Sequence, residues 1–446
     1  MAVPAASSAS TDTTRARHVV LLMLFVVTAV NYADRATLSI AGSELSKELG
    51  LTKVVMGYAF SAFGWAYVIG QIPGGWLLDR FGSKRVYAYS ILTWSIFTFL
   101  QGFVGVFQAG TAVIVLFALR FLLGLAEAPS FPGNGRIVAA WFPTAERGTA
   151  SAIFNSAQYF ATAMFAPLMG WITYRFGWSY VFFVMGTIGV IMALLWIRTI
   201  YSPRDHPRIS ARELDHIERG GGLVDMDQAA KARAAAGGPK PAYLRQLLGN
   251  RMLLGVYIGQ YCITTITYFF LTWFPVYLVE QRGMSILRAG LAASLPAVCG
   301  FVGGVLGGVF SDRLLKRGYS LTVARKVPIV TGMLLSTSMI LCNYTDSGTM
   351  VVGIMALAFF GKGVGSLGWA VVSDTSPKQI AGLSGALFNT FGNTAAITTP
   401  IVIGYIVQWT NSFNGALVFV AANALVAILA YLFVVGTIQR VELDKA

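Results

Sequence analysis

Histidine, cysteine and charge are all scarce in this chain, and each scarcity removes a class of chemistry. Of its three His residues, His18 stands at the very start of the first long apolar stretch, and His206 and His216 lie outside all of them. A His-based proton relay inside those stretches is therefore excluded. Cys262, Cys299 and Cys342 all fall within apolar stretches, which leaves neither a disulfide framework nor a metal-ligand spacing. With no Ser/His dyad or His cluster there either, an intramembrane enzyme has no support. Charged residues make up 12% of the chain, about half the share of a soluble globular domain. Strand-like alternation is also missing, which argues against a β-barrel. No cleavable signal peptide is evident, because the first apolar run is too long for one.

What is present is apolar length. Twelve stretches near the length of a membrane-crossing helix cover roughly 18–41, 54–78, 84–106, 111–139, 149–173, 178–200, 252–279, 288–311, 326–344, 349–372, 380–408 and 412–436. They predict an all-α polytopic membrane protein with twelve transmembrane helices in two six-helix bundles. Residues 1–17 read as a disordered tail, 18–200 as the first bundle, 201–250 as a linker, and 251–446 as the second bundle with a short tail. The linker is expected to hold a short surface helix around 210–219, followed by a flexible Gly/Ala section.

The net charge of +14 is a topology signal. Of the 33 Lys and Arg residues, Arg35, Arg120, Arg136 and Lys362 fall within spans, and Lys47, Lys53, Arg175, Arg282 and Arg288 on one side. All the others fall on the side of the termini and linker. By the positive-inside rule that side is cytoplasmic. The basic excess then faces anionic lipid, and a nucleic-acid partner is ruled out.

The halves repeat each other. GWLLDR (75–80) aligns with GVFSDR (308–313) at an offset of 233, and SAIFNS (151–156) with GALFNT (385–390) at 234. At the latter offset Pro143 meets Pro377 and Gly148 meets Gly382. Duplicated six-helix units mark secondary transporters.

Five ionisable residues sit at membrane depth: Asp34, Arg35, Arg120, Glu127 and Lys362. A charge there costs several kcal/mol, so the set points to a cavity that binds an anion and couples its movement to H⁺. Helical spacing adds polar stripes: Thr28, Asn31 and Arg35; Arg120 and Glu127; Ser151, Asn155, Gln158 and Thr162; Tyr257, Gln260 or Tyr261, Thr264 and Tyr268; Lys362, Ser366, Trp369 and Ser373. Tyr67 and Gln71 share a face, as do Asn389 and Asn393. A shared cavity accounts for these stripes, although Ser and Thr also serve helix–helix hydrogen bonds. Gly300, Gly303, Gly304, Gly307 and Gly308 form a small-residue seam in the eighth span, and Gly361, Gly363, Gly365 and Gly368 suit a bend in the tenth.

Several motifs carry a resemblance. GGWLLDRFGSKR (74–85) resembles the loop motif of the major facilitator superfamily. NYADR (31–35), YVIGQIPGG (67–75) and RFLLGLAEAPSFPGN (120–134) resemble that superfamily's anion:cation symporter branch. FFGKGVGSLGWAVVSDTSPKQIAG (359–382) and GQYCITTITYFFLTWFPVYL (259–278) look like the bacterial glucarate/galactarate permeases. The resemblance implies uptake of a sugar diacid with protons across the inner membrane by alternating access. Asp34 and Glu127 take the family's proton-coupling places. Arg35, Arg120 and Lys362 are the candidate carboxylate ligands, and Tyr67, Asn155, Gln158, Gln260, Ser366, Trp369, Asn389 and Asn393 the candidate hydroxyl ligands. A conformational charge lock is expected at Asp79, Arg80, Arg85, Asp312 and Arg313.

Charge counting favours a dianion. The three cations give +3, reduced to +1 when both carboxylates ionise, so loading protons first raises anion affinity. No cofactor is expected beyond H⁺, and the protein is expected to work as a monomer in the bilayer. The nearest alternative cargo is another organic anion, an aldonate or a hexuronate. A cationic-drug antiporter would want a net negative cavity, and a non-transporting sensor would want a signalling domain that the linker lacks.

Overall fold

The computed structural model describes residues 14–143, 146–225, 241–377 and 381–442. Among the described residues, ten helical stretches are long and apolar enough to cross a membrane: Ala16–Leu49, Ser83–Val106, Ala109–Trp141, Trp178–Thr199, Arg251–Glu280, Ile286–Lys316, Leu321–Tyr344, Gly348–Thr375, Leu383–Thr410 and Asn414–Val434. Two further helices, Lys53–Phe81 with 29 residues and Arg147–Phe176 with 30, complete the twelve. They exceed the roughly 20 residues a span needs. Numbered in chain order, these are the first to twelfth spans.

Packing follows the two halves. The first span lies against the fifth and sixth, the third against the sixth and fourth, and the second against the fourth. In the second half the tenth packs on the eighth and ninth, and the seventh on the eleventh and twelfth. Two seams join the halves, second to eleventh and fifth to eighth.

Glycine makes the seams close. A Cβ at Gly57 would lie 2.6 Å from the Pro400 carbonyl oxygen, and one at Gly64 2.7 Å from Ala396. At Gly290 it would lie 2.7 Å from the Ala166 carbonyl oxygen. The contacts between halves gather at the end away from the termini. There Lys53 Nζ pairs with Glu280 at 2.5 Å, Val54 N donates to Gln408 at 2.9 Å, and Ser39 Oγ donates to the Thr272 carbonyl at 2.6 Å. Toward the termini the halves part, and a Cβ at Gly75 or Gly308 would meet nothing within 4 Å.

The eighth-span glycine seam is real at three positions. Gly300, Gly303 and Gly307 press on Phe359, Phe360 and Val364 of the tenth span, whereas Gly308 faces open space. The tenth span itself breaks between Val364 and Gly368, among the glycines that marked a bend. The fourth breaks too, between Glu127 and Ser130, where Pro129 has no N–H to continue the ladder.

The linker helix Ala211–Arg219 forms where it was expected, capped by the Ser210 side chain. The Gly/Ala section falls at 226–240, outside the described residues. A further helix, Pro241–Gly249, precedes the seventh span. The end of the N-terminal tail needs a correction, because residues 14–17 are held in place. Glu213 of the linker helix is fully buried and accepts from Thr14 Oγ1 at 2.6 Å, Ala16 N at 3.0 Å and Arg17 N at 3.2 Å. A carboxylate at a helix N-terminus satisfies orphan N–H groups and complements the helix dipole. Here it ties the linker to the first span. Residues 1–13 lie outside the described residues.

Candidate functional site: a cationic polar cleft between the two halves

The first half supplies a buried charge cluster. Arg35 Nε donates to Glu127 Oε2 at 2.9 Å, with the two side chains 4% and 0% exposed. Helix spacing put Arg120 on the same face as Glu127 but two turns away. Seven residues along a helix is about 10 Å, too far for an ion pair, whereas the first span brings Arg35 directly across. The guanidinium carbon of Arg35 lies 4.7 Å from the ring centroids of Tyr32 and Phe63 and 4.8 Å from that of Tyr67. This aromatic cage fixes the plane of the Arg fork. Tyr67 stacks on Phe63 at 5.4 Å, so its ring face is in use beside its hydroxyl.

Arg120 turns toward the backbone. Its Nη1 donates to the Asp34 carbonyl at 3.5 Å and its Nη2 to the Arg35 carbonyl at 3.4 Å. Asp34 is fully buried and makes no ion pair within 4.0 Å among the described residues. It faces the buried Trp94 of the third span. Thr28 leaves its expected stripe: Asn134 Nδ2 donates to its hydroxyl at 3.0 Å inside the first half.

Neutral polar groups come mainly from the second half. Gln260 fits between two glycines, since a Cβ at Gly368 would lie 2.5 Å from its Oε1 and one at Gly392 2.8 Å from its Cγ. Its Nε2 donates to Thr264 at 3.2 Å. Asn393 Nδ2 donates to Asn389 Oδ1 at 3.0 Å, and Asn393 Oδ1 accepts from the Tyr268 hydroxyl at 3.3 Å. Asn389 Nδ2 reaches across the halves to Gln71 at 3.4 Å. Trp369 meets Phe388 edge-on at 5.0 Å and is 54% exposed, at the mouth of the cleft rather than in the core. Tyr257 is fully buried and stacks on Phe391 at 5.0 Å, which makes it packing.

Other candidates are turned to their own helices. Asn155 donates to the Ser151 carbonyl, Gln158 to the Asn155 carbonyl and Ser366 to the Lys362 carbonyl. Gln158 also lines a small cavity between the halves with Tyr32, Tyr159 and Phe270. Lys362 is 4% exposed, and its Nζ donates to the Tyr159 hydroxyl at 3.4 Å. It makes no ion pair with Glu127.

Near the second-half motif, Asp312 is approached by Arg325. Arg325 of the ninth span pairs with Asp374 at 2.8 Å, donates to Ser311 at 2.9 Å and lies 4.0 Å from Asp312. Arg313 and Arg85 are exposed, and Arg80 lies over Trp76 and Phe81 at 5.2 and 5.5 Å. The side chain of Asp79 lies outside the described residues. Sequence reasoning passed over Arg325 and Asp374, which are 49 residues apart, and the aromatic cage. Tyr32 was the findable member, three residues before Arg35 on the same helix face.

Twelve spans in two halves, with Asp, Glu, Arg and Lys side chains buried within them, define a multi-pass membrane protein of the carrier type. The model of the Major Facilitator Superfamily matches residues 24–324, and the chain belongs to that superfamily. It is 68% identical over 432 residues to "Probable galactarate/D-glucarate transporter GudP" of Bacillus subtilis, covering 97% of this chain and 94% of the relative. It is 65% identical over 429 residues to "Probable galactarate/D-glucarate transporter GarP" of Escherichia coli K12, covering 96% and 97%. The crystal structure of a D-xylose-proton symporter superposes with a TM-score of 0.70 at 16% identity, covering 94% of this chain and 98% of that one. That likeness supports the fold.

Proposed function

We propose that this protein imports galactarate and D-glucarate across the bacterial inner membrane in symport with H⁺. The observation that carries the substrate is identity of 65–68% over nearly the whole chain to relatives named for these two diacids. The cation set supports it, since Arg35, Arg120 and Lys362 are drawn from both halves. The termini, linker and open cleft are read as cytoplasmic, following the Lys/Arg bias. The halves 18–200 and 251–446 are read as bodies that rock about the bound anion, in a single working chain.

Coupling runs through the Arg35–Glu127 pair. Ionised Glu127 occupies Arg35; a proton on Glu127 cancels its charge and frees the fork for a substrate carboxylate. Asp34, buried without a counter-ion contact of its own, is the second proton carrier. Amides at Gln260, Asn389 and Asn393 supply donors and acceptors for the hydroxyls between the two carboxylates.

A competition series tests the cargo. Against labelled D-glucarate entering cells that express the protein, unlabelled galactarate is expected to compete as well as D-glucarate. Galactonate and glucuronate, each lacking one carboxylate, are expected to need about tenfold more or greater. Equal competition by the monoacids would show that the second carboxylate is not read.

A further inference from the structure

We infer that Tyr159 is a positioning residue that holds Lys362 for the second carboxylate, so that reading a diacid depends on a contact between the two halves. This rests on the proposed diacid function. Lys362 belongs to the tenth span and Tyr159 to the fifth, in opposite halves. The Tyr159 hydroxyl is the one hydrogen-bond acceptor shown for the ammonium, at 3.4 Å, and no carboxylate lies within ion-pair distance among the described residues. The ring centroids of Tyr159 and Phe359 lie 5.3 and 5.2 Å from the nitrogen. A nearly buried ammonium therefore rests on one neutral oxygen and two π faces. That is a weak set for a charge at membrane depth, and it leaves N–H groups for an incoming anion.

The approach is built into the eighth span, which lies between the two residues. A side chain at Gly300 would sit 3.0 Å from Tyr159 Cε1 and 2.8 Å from Phe359 Cδ1. At Gly304 a Cβ would lie 4.0 Å from the Tyr159 hydroxyl. The two glycines let the ring cross the eighth span and bring its hydroxyl to Lys362. Phe301 meets the ring edge-on at 6.3 Å. A Lys stem has four rotatable bonds and no preferred fork. Without the hydroxyl, its ammonium has no neutral oxygen to fix its direction, and the penalty falls on binding the far carboxylate, not on the movement of the halves.

The test is a cycle of Tyr159→Phe, Lys362→Gln and the double variant, reading KM and kcat for labelled D-glucarate uptake in proteoliposomes. The Phe ring keeps the packing on Gly300 and Phe301, and size-exclusion profiles verify folding. The expected result is a KM raised about tenfold in Tyr159→Phe, with kcat within about twofold. The double variant should share the KM of Lys362→Gln, because Tyr159 acts through Lys362. A wild-type KM in Tyr159→Phe, or effects that multiply in the double variant, overturns the inference and leaves the proposed function standing. A wild-type protein that takes up no glucarate overturns the function itself.

Discussion

Arg35→Lys is expected to lower kcat/KM for D-glucarate uptake by about a hundredfold or more. The charge survives this change; what is lost is shape. The Arg35 fork bonds Glu127 through Nε, and its Nη2 is buried without a partner. Once a proton on Glu127 frees the fork, the same guanidinium can present several N–H groups to a substrate carboxylate. Its plane is set by Tyr32, Phe63 and Tyr67. A Lys ammonium is a point donor that cannot bond bidentately or stack in that cage. Losing one charge-assisted hydrogen bond costs about 1.5–3 kcal/mol and the cation–π contacts about 0.5–2 kcal/mol. Together these come to about 2–5 kcal/mol, and a hundredfold, about 2.8 kcal/mol, falls in the lower half of that range. Initial uptake rates across a concentration series, normalised to inserted protein, check it. A loss under fivefold would mean that charge alone is read.

The second large effect is expected in Glu127→Gln, where uptake and coupling should separate. Gln cannot carry the proton, so accumulation against a gradient should vanish and the inside-to-outside ratio fall to about one. Counterflow, the exchange of labelled for unlabelled glucarate without any gradient, should persist. Arg35 would also lose its buried counter-charge, a change that costs about 3–5 kcal/mol and that a bound carboxylate relieves. The variant should therefore bind glucarate more tightly and release it more slowly, with both KM and kcat reduced. Accumulation at the wild-type level would remove Glu127 from the coupling path and leave Asp34 as the carrier.

Twelve spans, two halves and the linker helix were legible because each is a local property: apolar length, repeat offset, a short charged segment in a polar linker. The membrane-depth residues were legible for the same reason, since Asp34, Arg35, Glu127 and Lys362 stand out in any apolar window. Their partners were not. Periodicity gives the face of one helix and says nothing of how a neighbour is rotated against it. Glu127 therefore shared a face with Arg120, two turns away on its own span, and bonds Arg35 across the bundle. Lys362 stood out as a candidate carboxylate ligand, with nothing to show that its ammonium meets Tyr159. Arg325 read as part of a basic loop stretch, yet it gathers Ser311, Asp312 and Asp374. Glu213 read as one charge among many in a polar linker, yet it is fully buried on the N-terminus of the first span. In each case the missing term was the register between segments distant in sequence.

The most direct measurement is accumulation of labelled D-glucarate in proteoliposomes under an imposed inward H⁺ gradient, in Na⁺-free buffer, with and without a protonophore. The account predicts an internal concentration well above the external one, collapsing to equality when the protonophore is added. Uptake that stops at equality under the gradient, or that ignores the protonophore, would contradict H⁺-coupled import.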